Sequence, residues 1–306
     1  MENSNRNTCD RQILNGKPLV SVALCTYNGA KYLKDQLTTI SNQTYTNLEI
    51  VIVDDHSSDE TVSIIKSHME NDTRIKLWIN DSNVGVNKSF KIAIDECQGD
   101  FIAIADQDDL WAQEKIKIQM DLIGDSSLIY HDSLYIDENG IALGKSTTTH
   151  HRFVRGKCGI NFLFFNCISG HTCLFRKKFY QQIPLFPNGI YYDWWLAFCA
   201  SSIGKLDFSL QQLVQHRIHQ KSVTRIDKGK YSRIDRIQQL NMFNQISSGQ
   251  LKYRINQAIL YYQNSINFQG RVRLALFLFK NIADFTYIRK FSWFSKIKWV
   301  FRETGF

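Results

Sequence analysis

The order of apolar and polar runs in this sequence predicts an α/β protein: a doubly wound, mostly parallel sheet with helices on both faces, followed by a C-terminal helical extension. Three observations predict it. Short apolar runs alternate with amphipathic runs over roughly the first 125 residues, which is the pattern of strand–helix–strand units. Two of those apolar runs end in crowded aspartates, Asp54-Asp55 and Asp106 with Asp108 and Asp109, at the strand ends where open α/β sheets bind ligands. From Tyr231 onward the sequence reads as helix, first polar, then aromatic and basic.

Taken in order, Met1–Lys17 is polar and expected to be loose. Leu19–Cys25 is a buried strand by composition, followed by a Thr26-Tyr27-Asn28-Gly29 turn. Ala30–Gln43 has helical spacing, with Leu33, Leu37 and Ile40 on one face. Leu48–Val53 is the next strand, and Ser57-Ser58-Asp59-Glu60 reads as the start of a helix. Ile75–Ile79 is a third strand, Asn80–Asn87 a polar loop, and Lys88–Cys97 a helix. Phe101–Ala105 is a short buried strand, followed by a helix from Gln113 to about Ile123. Leu128–Ile136 alternates and runs into a turn at Asp137–Gly140, and polar Gly140–Gly156 is expected to be a mobile segment over the site. A strand is expected near His171–Phe175, a helix from Tyr191 to about Ser201, and Leu206–Val214 leads into His216-Arg217-Ile218-His219.

Asp106, Asp108 and Asp109 lie within four residues. Carboxylates this close repel unless protonated or facing a cation. Asp106 and Asp108 point the same way if the chain is still extended, and a hard divalent ion with oxygen ligands suits them. The competing reading is that Asp108 and Asp109 cap the helix that follows. A cap needs one carboxylate, and three are present.

The chain has 306 residues, 43% of them hydrophobic, with Lys+Arg 37 against Asp+Glu 29, a formal charge of +8. From Leu251 to Phe306 ten Lys/Arg stand against two acids, so this tail carries the surplus and points to an anionic partner. Seven scattered cysteines without a Cys-x-x-Cys pair argue for a reducing compartment. Polar Met1–Lys17 contains no secretory h-region, and no apolar run of about 18 residues is present. The expected location is cytoplasmic, or peripheral on the cytosolic face of the membrane.

Several segments together resemble the family-2 glycosyltransferases of GT-A fold: Val20-Ser-Val-Ala-Leu-Cys-Thr-Tyr-Asn28, Val51–Thr61, Asn83-Val-Gly85, Gly99–Trp111, Tyr192-Asp-Trp-Trp195 and His216-Arg-Ile-His219. The Asp-Gln-Asp-Asp-Leu-Trp form and the Arg-Ile-His run look most like the bacterial rhamnosyltransferase-like branch of O-antigen and capsule synthesis. The resemblance implies a GT-A domain over residues 18–228; polar residues 1–17 are expected to be a flexible N-terminus and 229–306 a basic-aromatic helical extension.

It also implies a UDP- or dTDP-linked sugar as donor and an inverting transfer. Thr26 and Tyr27 would flank the base, Asp55 would accept from the pyrimidine N–H, and Asp106 would approach the ribose. Asn28, Asn83 and Gln107 complete the donor-binding set, and Arg217 could pair with phosphate. Asp108 and His219 would hold a divalent metal, Mn²⁺ or Mg²⁺. Asp109 would support the loop or cap the helix, and His171 would line the acceptor pocket or sit in the core. Asp193 would be the catalytic base, against the plainer reading of an N-cap beside core tryptophans. The acceptor implied is a polyprenyl-diphosphate-linked oligosaccharide, with peripheral membrane contact through the extension and no nucleic acid. Two alternatives stand beside this: a nucleotidyltransferase, which would need a Gly-rich basic loop after strand one, and a non-catalytic membrane-associated partner protein that keeps only a nucleotide pocket.

Overall fold

The apolar runs of the first half form strands and the amphipathic runs between them form helices. In chain order, β1 (Ile13–Leu14) and β2 (Lys17–Pro18) make a small antiparallel ladder. Then come β3 (Val20–Thr26), α1 (Ala30–Ser41), β4 (Leu48–Asp54), α2 (Thr61–Met69), β5 (Ile75–Ile79), α3 (Val86–Glu96) and β6 (Phe101–Ala105). Next are β7 (Leu110–Trp111), α4 (Lys115–Leu122), β8 (Leu128–Ile136), β9 (Ala142–Ser146), α5 (Thr147–His150), β10 (Leu174–Arg176), α6 (Lys177–Tyr180), α7 (Tyr192–Ile203) and β11 (Leu206–Arg217). The chain closes with α8 (Arg233–Ile246), α9 (Gly249–Gln263), α10 (Phe268–Lys280), α11 (Ile282–Phe285) and α12 (Trp293–Thr304).

The structure is a computed structural model, and it describes residues 13–14, 16–219 and 231–306. Most of the expected loose N-terminal stretch and the expected 228/229 boundary therefore lie outside the described residues. The chain divides into two units: Met1–Lys145 with Gly170–Gln182 and Ser209–Ile218, and Ser146–Ser169 with Ile183–Phe208 and His219–Phe306.

In the first unit one sheet runs in the order β5-β4-β3-β6-β10-β8-β11-β7, with β9 on β8. The strands β5, β4, β3 and β6 are parallel. Beyond β6 the recorded pairings are antiparallel, β6 with β10, β10 with β8, and β11 with β7. The helices α1, α2 and α3 supply the crossovers that the parallel neighbours need. The parallel register pairs Thr26 with Asp54 and Leu24 with Ala105, so the C-terminal ends of β3, β4 and β6 share one edge.

Side chains alternate across this sheet. Val22, Leu24, Ile50, Ile52, Ala103 and Ala105 cluster with Leu33, Leu37 and Ile40 of α1 and Ile65 of α2. The alternate positions Ala23, Val51 and Val53 are also fully buried, and α3, with Phe90, Ala93 and Ile94 buried, packs against β3 and β4. Each such Leu or Ile taken from water stabilises the fold by roughly 1.5–3 kcal/mol.

The expected mobile segment Gly140–Gly156 is instead partly regular: it enters β9, which pairs with β8, and then α5. A tight turn makes this possible. Gly140 has φ +86°, a left-handed conformation suited to glycine, and the Asp137 carboxylate accepts from the Asn139 and Ile141 amides.

The second unit is mainly helical, and its core is aromatic. Phe198 stacks on Phe243 with ring centroids 3.9 Å apart, and Phe164 meets Phe285 and Trp299 at 4.8 and 5.3 Å. Arg236 and Glu303 form a buried ion pair that Tyr262 Oη also joins as a donor. Ser232 caps α8 with a capping box, and Asn267 and Ser292 cap α10 and α12.

Candidate active site

The edge formed by β3, β4 and β6 begins with the turn after β3. Four successive backbone N–H groups there each donate to a side chain. Tyr27 donates to Gln107 Oε1, Asn28 to Ser57 Oγ, Gly29 to Thr61 Oγ1 and Ala30 to Asp59 Oδ2, at 2.9, 2.9, 2.9 and 3.2 Å. Asn28 adopts φ +47°, a conformation asparagine tolerates, and its side-chain oxygen accepts from the Ser58 amide. The Tyr27 ring remains 48% exposed at the tip.

The acids after β4 are buried and fully used. Asp54 accepts from Thr26 Oγ1, Ser57 N and Ser57 Oγ. Asp55 accepts from Asn80 Nδ2, the Val84 amide and the Gly85 amide at 2.8, 2.8 and 2.9 Å. The residue expected to meet a pyrimidine N–H thus anchors the loop carrying exposed Asn83, where Gly85 has φ +87°.

After β6 the chain turns through Asp106–Asp109. Gln36 Nε2 donates to the Asp106 carbonyl and Arg217 Nε to the Asp108 carbonyl, at 2.8 and 2.9 Å. Arg217 was expected to meet phosphate. It is 4% exposed, and its guanidinium also donates to the carbonyls of Asp137 and Glu138 and lies over the Tyr32 ring. The Asp106 side chain is a third exposed. Burial holds its carboxyl above the usual carboxylate value, with His216 and Lys115 pulling it down.

Asp109 caps nothing. α4 starts at Lys115, and its N-cap residue Glu114 makes no side-chain cap bond. Asp109 is fully buried, and its Oδ1 accepts from the Arg217 amide and from His216 Nδ1 at 2.9 and 3.0 Å. Burial would lower the His216 pKa, but the Asp109 carboxylate, with Asp106 and Asp108 adding, lifts it to about 9. His171 stacks on His216 with centroids 4.4 Å apart. Its pKa is pushed down to about 3, chiefly by burial, with Asp109 opposing and the His216 and Lys115 charges adding. His171 therefore sits in the core as a neutral ring between Ser133 and the carboxylates of Asp106 and Asp109.

Among the described residues, Asp109, His171 and His216 offer ligand atoms within 4.8 Å of one another. A metal lies in the plane of each imidazole that ligates it. The two rings are stacked with only 13° between their planes, so they cannot both ligate one ion from these positions. Carboxylate oxygens such as those of Asp106 and Asp108 are the donor type that hard divalent ions prefer.

In the second unit, Asp193 lies in the first turn of α7. The N-cap is Tyr191, so Asp193 is not the cap. Its Oδ1 accepts from the Trp194 amide at 2.6 Å. Around it Tyr192, Trp194 and Trp195 are buried, and the two indoles donate to the carbonyls of Phe162 and Pro184. His219 follows β11 and is half-buried.

The model of the family described as glycosyl transferase family 2 matches residues 21–183. The chain belongs to glycosyltransferase family 2. It spans 45% of one uncharacterized glycosyltransferase of Haemophilus influenzae and 66% of another, at 32% and 29% identity over 37% and 66% of its own length. A putative teichuronic acid biosynthesis glycosyltransferase, TuaG of Bacillus subtilis, is 31% identical over 43% of this chain and 53% of its own. Among solved structures, TarS residues 1–349 of S. aureus with UDP-GlcNAc gives a TM-score of 0.62 at 18% identity, over 87% of this chain and 81% of that one. A mannosyltransferase from Pyrobaculum calidifontis with GDP-Man and Mn²⁺ gives 0.56 at 18% identity, over 87% and 76%. At these identities the likeness is one of fold, and the fold is GT-A.

Reading the sequence alone missed two features of this family-2 site. Gln107 pairs with the Tyr27 backbone, and Asp109 pairs with His216 across 107 positions. Both lie in motifs quoted from the sequence, but nothing local signals either pairing.

Proposed function

We propose that the protein is a metal-dependent, inverting glycosyltransferase. It would move a sugar from a UDP- or dTDP-linked donor to a hydroxyl of a polyprenyl-diphosphate-linked glycan in bacterial surface polysaccharide synthesis. The observation that carries this reading is the convergence of Tyr27, Asp55 and the Asp106–Asp108 turn on one edge of the parallel strands. The complexes of the two GT-A neighbours with nucleotide sugars support it.

In this reading Thr26, Tyr27, Asn28, Asp55 and Asn83 form the nucleoside end, and Asp106 and Gln107 lead toward the ribose and diphosphate. Asp55 acts by fixing the Asn83–Gly85 loop as well as by any contact of its own. Arg217 contributes by holding the Asp108 backbone. Asp108 and His219 are the proposed ligands of the divalent ion, which when bound neutralises charge on the leaving diphosphate. Asp193 takes the proton of the acceptor hydroxyl as its oxygen bonds to the anomeric carbon. The bond from that carbon to the diphosphate oxygen breaks, and the nucleoside diphosphate leaves with the electron pair.

The nucleotidyltransferase alternative loses ground here, because a loop that grips a triphosphate needs free backbone N–H groups. Those of Tyr27–Ala30 all donate within the protein.

No helix among the described residues is long and apolar enough to cross a membrane. The C-terminal helices support a peripheral contact on the cytosolic face. Trp293, Phe294 and Phe301 are 61, 75 and 45% exposed, beside exposed Lys298 and Arg302. The two acids of that tail are taken up by Arg254 and Arg236.

The test is a thermal-shift series with UDP, dTDP, GDP and CMP, each with Mn²⁺ and with EDTA. Stabilisation by UDP or dTDP that EDTA removes is expected, since a ligand bound only to the folded state raises the melting point. No shift with any nucleotide would sink the reading. Asp193→Asn should keep that shift and lose transfer by at least about 10²-fold.

A further inference from the structure

We propose that Gln107 is a positioning residue, tying the ring that would cover the donor base to the acid-bearing end of β6. The inference rests on the donor-site reading above and adds to it a residue that sets the spacing within that site.

The geometry is that of a strand pair made by one side chain. Tyr27 lies one residue beyond β3, past the end of the ladder. Its N–H donates to Gln107 Oε1 at 2.9 Å, and its carbonyl accepts from Gln107 Nε2 at 3.1 Å. A primary amide offers the donor and acceptor this needs on adjacent atoms; a carboxylate has no donor and an apolar chain has neither.

Both neighbours of Gln107 are anchored through their own carbonyls, Asp106 to Gln36 and Asp108 to Arg217. The Gln107 side chain is therefore the link between two fixed pieces of backbone. Gly29 makes room for it. A Cβ there would meet Gln107 Oε1 at 2.1 Å and Cδ at 2.5 Å, and the Gly29 φ of −104° demands no glycine. Space for the amide is what this position requires.

Because Gln107 sits between Asp106 and Asp108, the clamp holds the half-exposed Tyr27 ring at a set distance from the groups addressing ribose and diphosphate. Losing it should loosen nucleoside binding before it touches the chemistry.

The experiment is a double-mutant cycle on the full chain with Gln107→Met, which keeps length and bulk, and Tyr27→Ala. UDP and dTDP affinities are measured at fixed Mn²⁺, with donor KM and kcat. Losing two neutral hydrogen bonds predicts a nucleoside diphosphate Kd about tenfold weaker in Q107M. Donor KM should rise by a like factor, kcat should stay within about twofold, and the apparent Mn²⁺ constant should not move. In the Y27A background, Q107M should change Kd less than about twofold, because the ring to be positioned is gone.

Wild-type affinity in Q107M would overturn the proposal, as would the same tenfold loss in the Y27A background or an effect confined to Mn²⁺ or kcat. If Q107M fails to fold, Gln107→Ala reads out the same cycle. A wild-type protein that binds no nucleoside diphosphate overturns the donor-site reading itself, and this inference with it. A wild type that binds while the cycle is additive overturns this inference alone.

Discussion

At the β3 end of the carboxylate edge, the N–H groups of Tyr27, Asn28, Gly29 and Ala30 all reach side-chain acceptors. Beneath the β6 end, Asp109 Oδ2, Trp111 Nε1, Lys115 Nζ, Gln119 Oε1 and His131 Nε2 are buried without a hydrogen-bond partner. The first region spends its polar groups on its own shape, so the loop is preorganised and has little left to offer a phosphate. The second concentrates charge, with a buried carboxylate, an imidazolium and a lysine held close. An unsatisfied buried polar group costs about 1–3 kcal/mol, so this end carries a stability penalty that the β3 end avoids. The difference matches the division of work proposed for the edge, a rigid nucleoside end and an electrostatically loaded diphosphate end.

The sharpest way to break this contrast is Asp109→Ala. It strips the counter-charge from His216 and the acceptor from the Arg217 amide. Removing one partner of a buried ion pair costs about 3–5 kcal/mol, and urea unfolding at neutral pH should show a loss of that size. A loss below about 1 kcal/mol would mean that the imidazolium is not held by Asp109.

A smaller effect of opposite sign is expected at Lys115. This side chain is fully buried over the Trp111 ring, and burial pulls its pKa down to about 7, with Cys173, Asp109 and Asp106 opposing. Because the folded value lies below the ordinary 10.5, the fold penalises the protonated form. That penalty is complete below about pH 7 and shrinks as pH rises toward the unfolded value. Lys115→Met should therefore gain about 1–3 kcal/mol at or below neutral pH, with the advantage over wild type narrowing toward pH 10. A variant less stable than wild type at every pH would show that the ammonium is useful where it sits.

The smallest effect tests a fully partnered pair at the opposite edge of the strands. Arg74 donates to both oxygens of Asp72 at 2.8 and 2.7 Å, and its guanidinium holds that carboxyl down at about 2. The folded value is depressed, so the stabilisation is present above the ordinary 3.8 and is lost as pH falls toward 2. Arg74 is 30% exposed, which limits the cost of Asp72→Asn to about 1 kcal/mol at pH 7. Thermal unfolding of the variant and wild type should converge near pH 2, and a difference that persists there would point to packing instead of charge.

Much of the sheet was legible because its signals are local. Ile75–Ile79, Phe101–Ala105 and Leu128–Ile136 are strands with the bounds expected of them, and the C-terminal region is helical from Arg233 onward. The regular structure within Gly140–Gly156 is not legible in the sequence, because polar composition carries no information about which strand edge lies open to receive it. β9 is exposed along most of its length and forms by pairing with β8, which no periodicity announces. The Asp106–Asp109 run was recognisable as a site by its crowding, yet its members could not be told apart by spacing.

The sequence by itself determined the parallel α/β order, the delivery of Asp54-Asp55 and Asp106–Asp109 to strand ends, and membership in the family. The first two follow from hydrophobic period and turn chemistry within a few residues, and membership from the resemblance of its motifs to the family's. Only the tertiary structure decided that Asp109 serves His216 rather than a helix cap, that Arg217 is spent on carbonyls, and that Gln107 clamps Tyr27. Those bonds join residues 80 to 109 positions apart. Their partners become neighbours only after the strands have paired, and hydrogen bonds that depend on long-range register leave no imprint on the residues nearby.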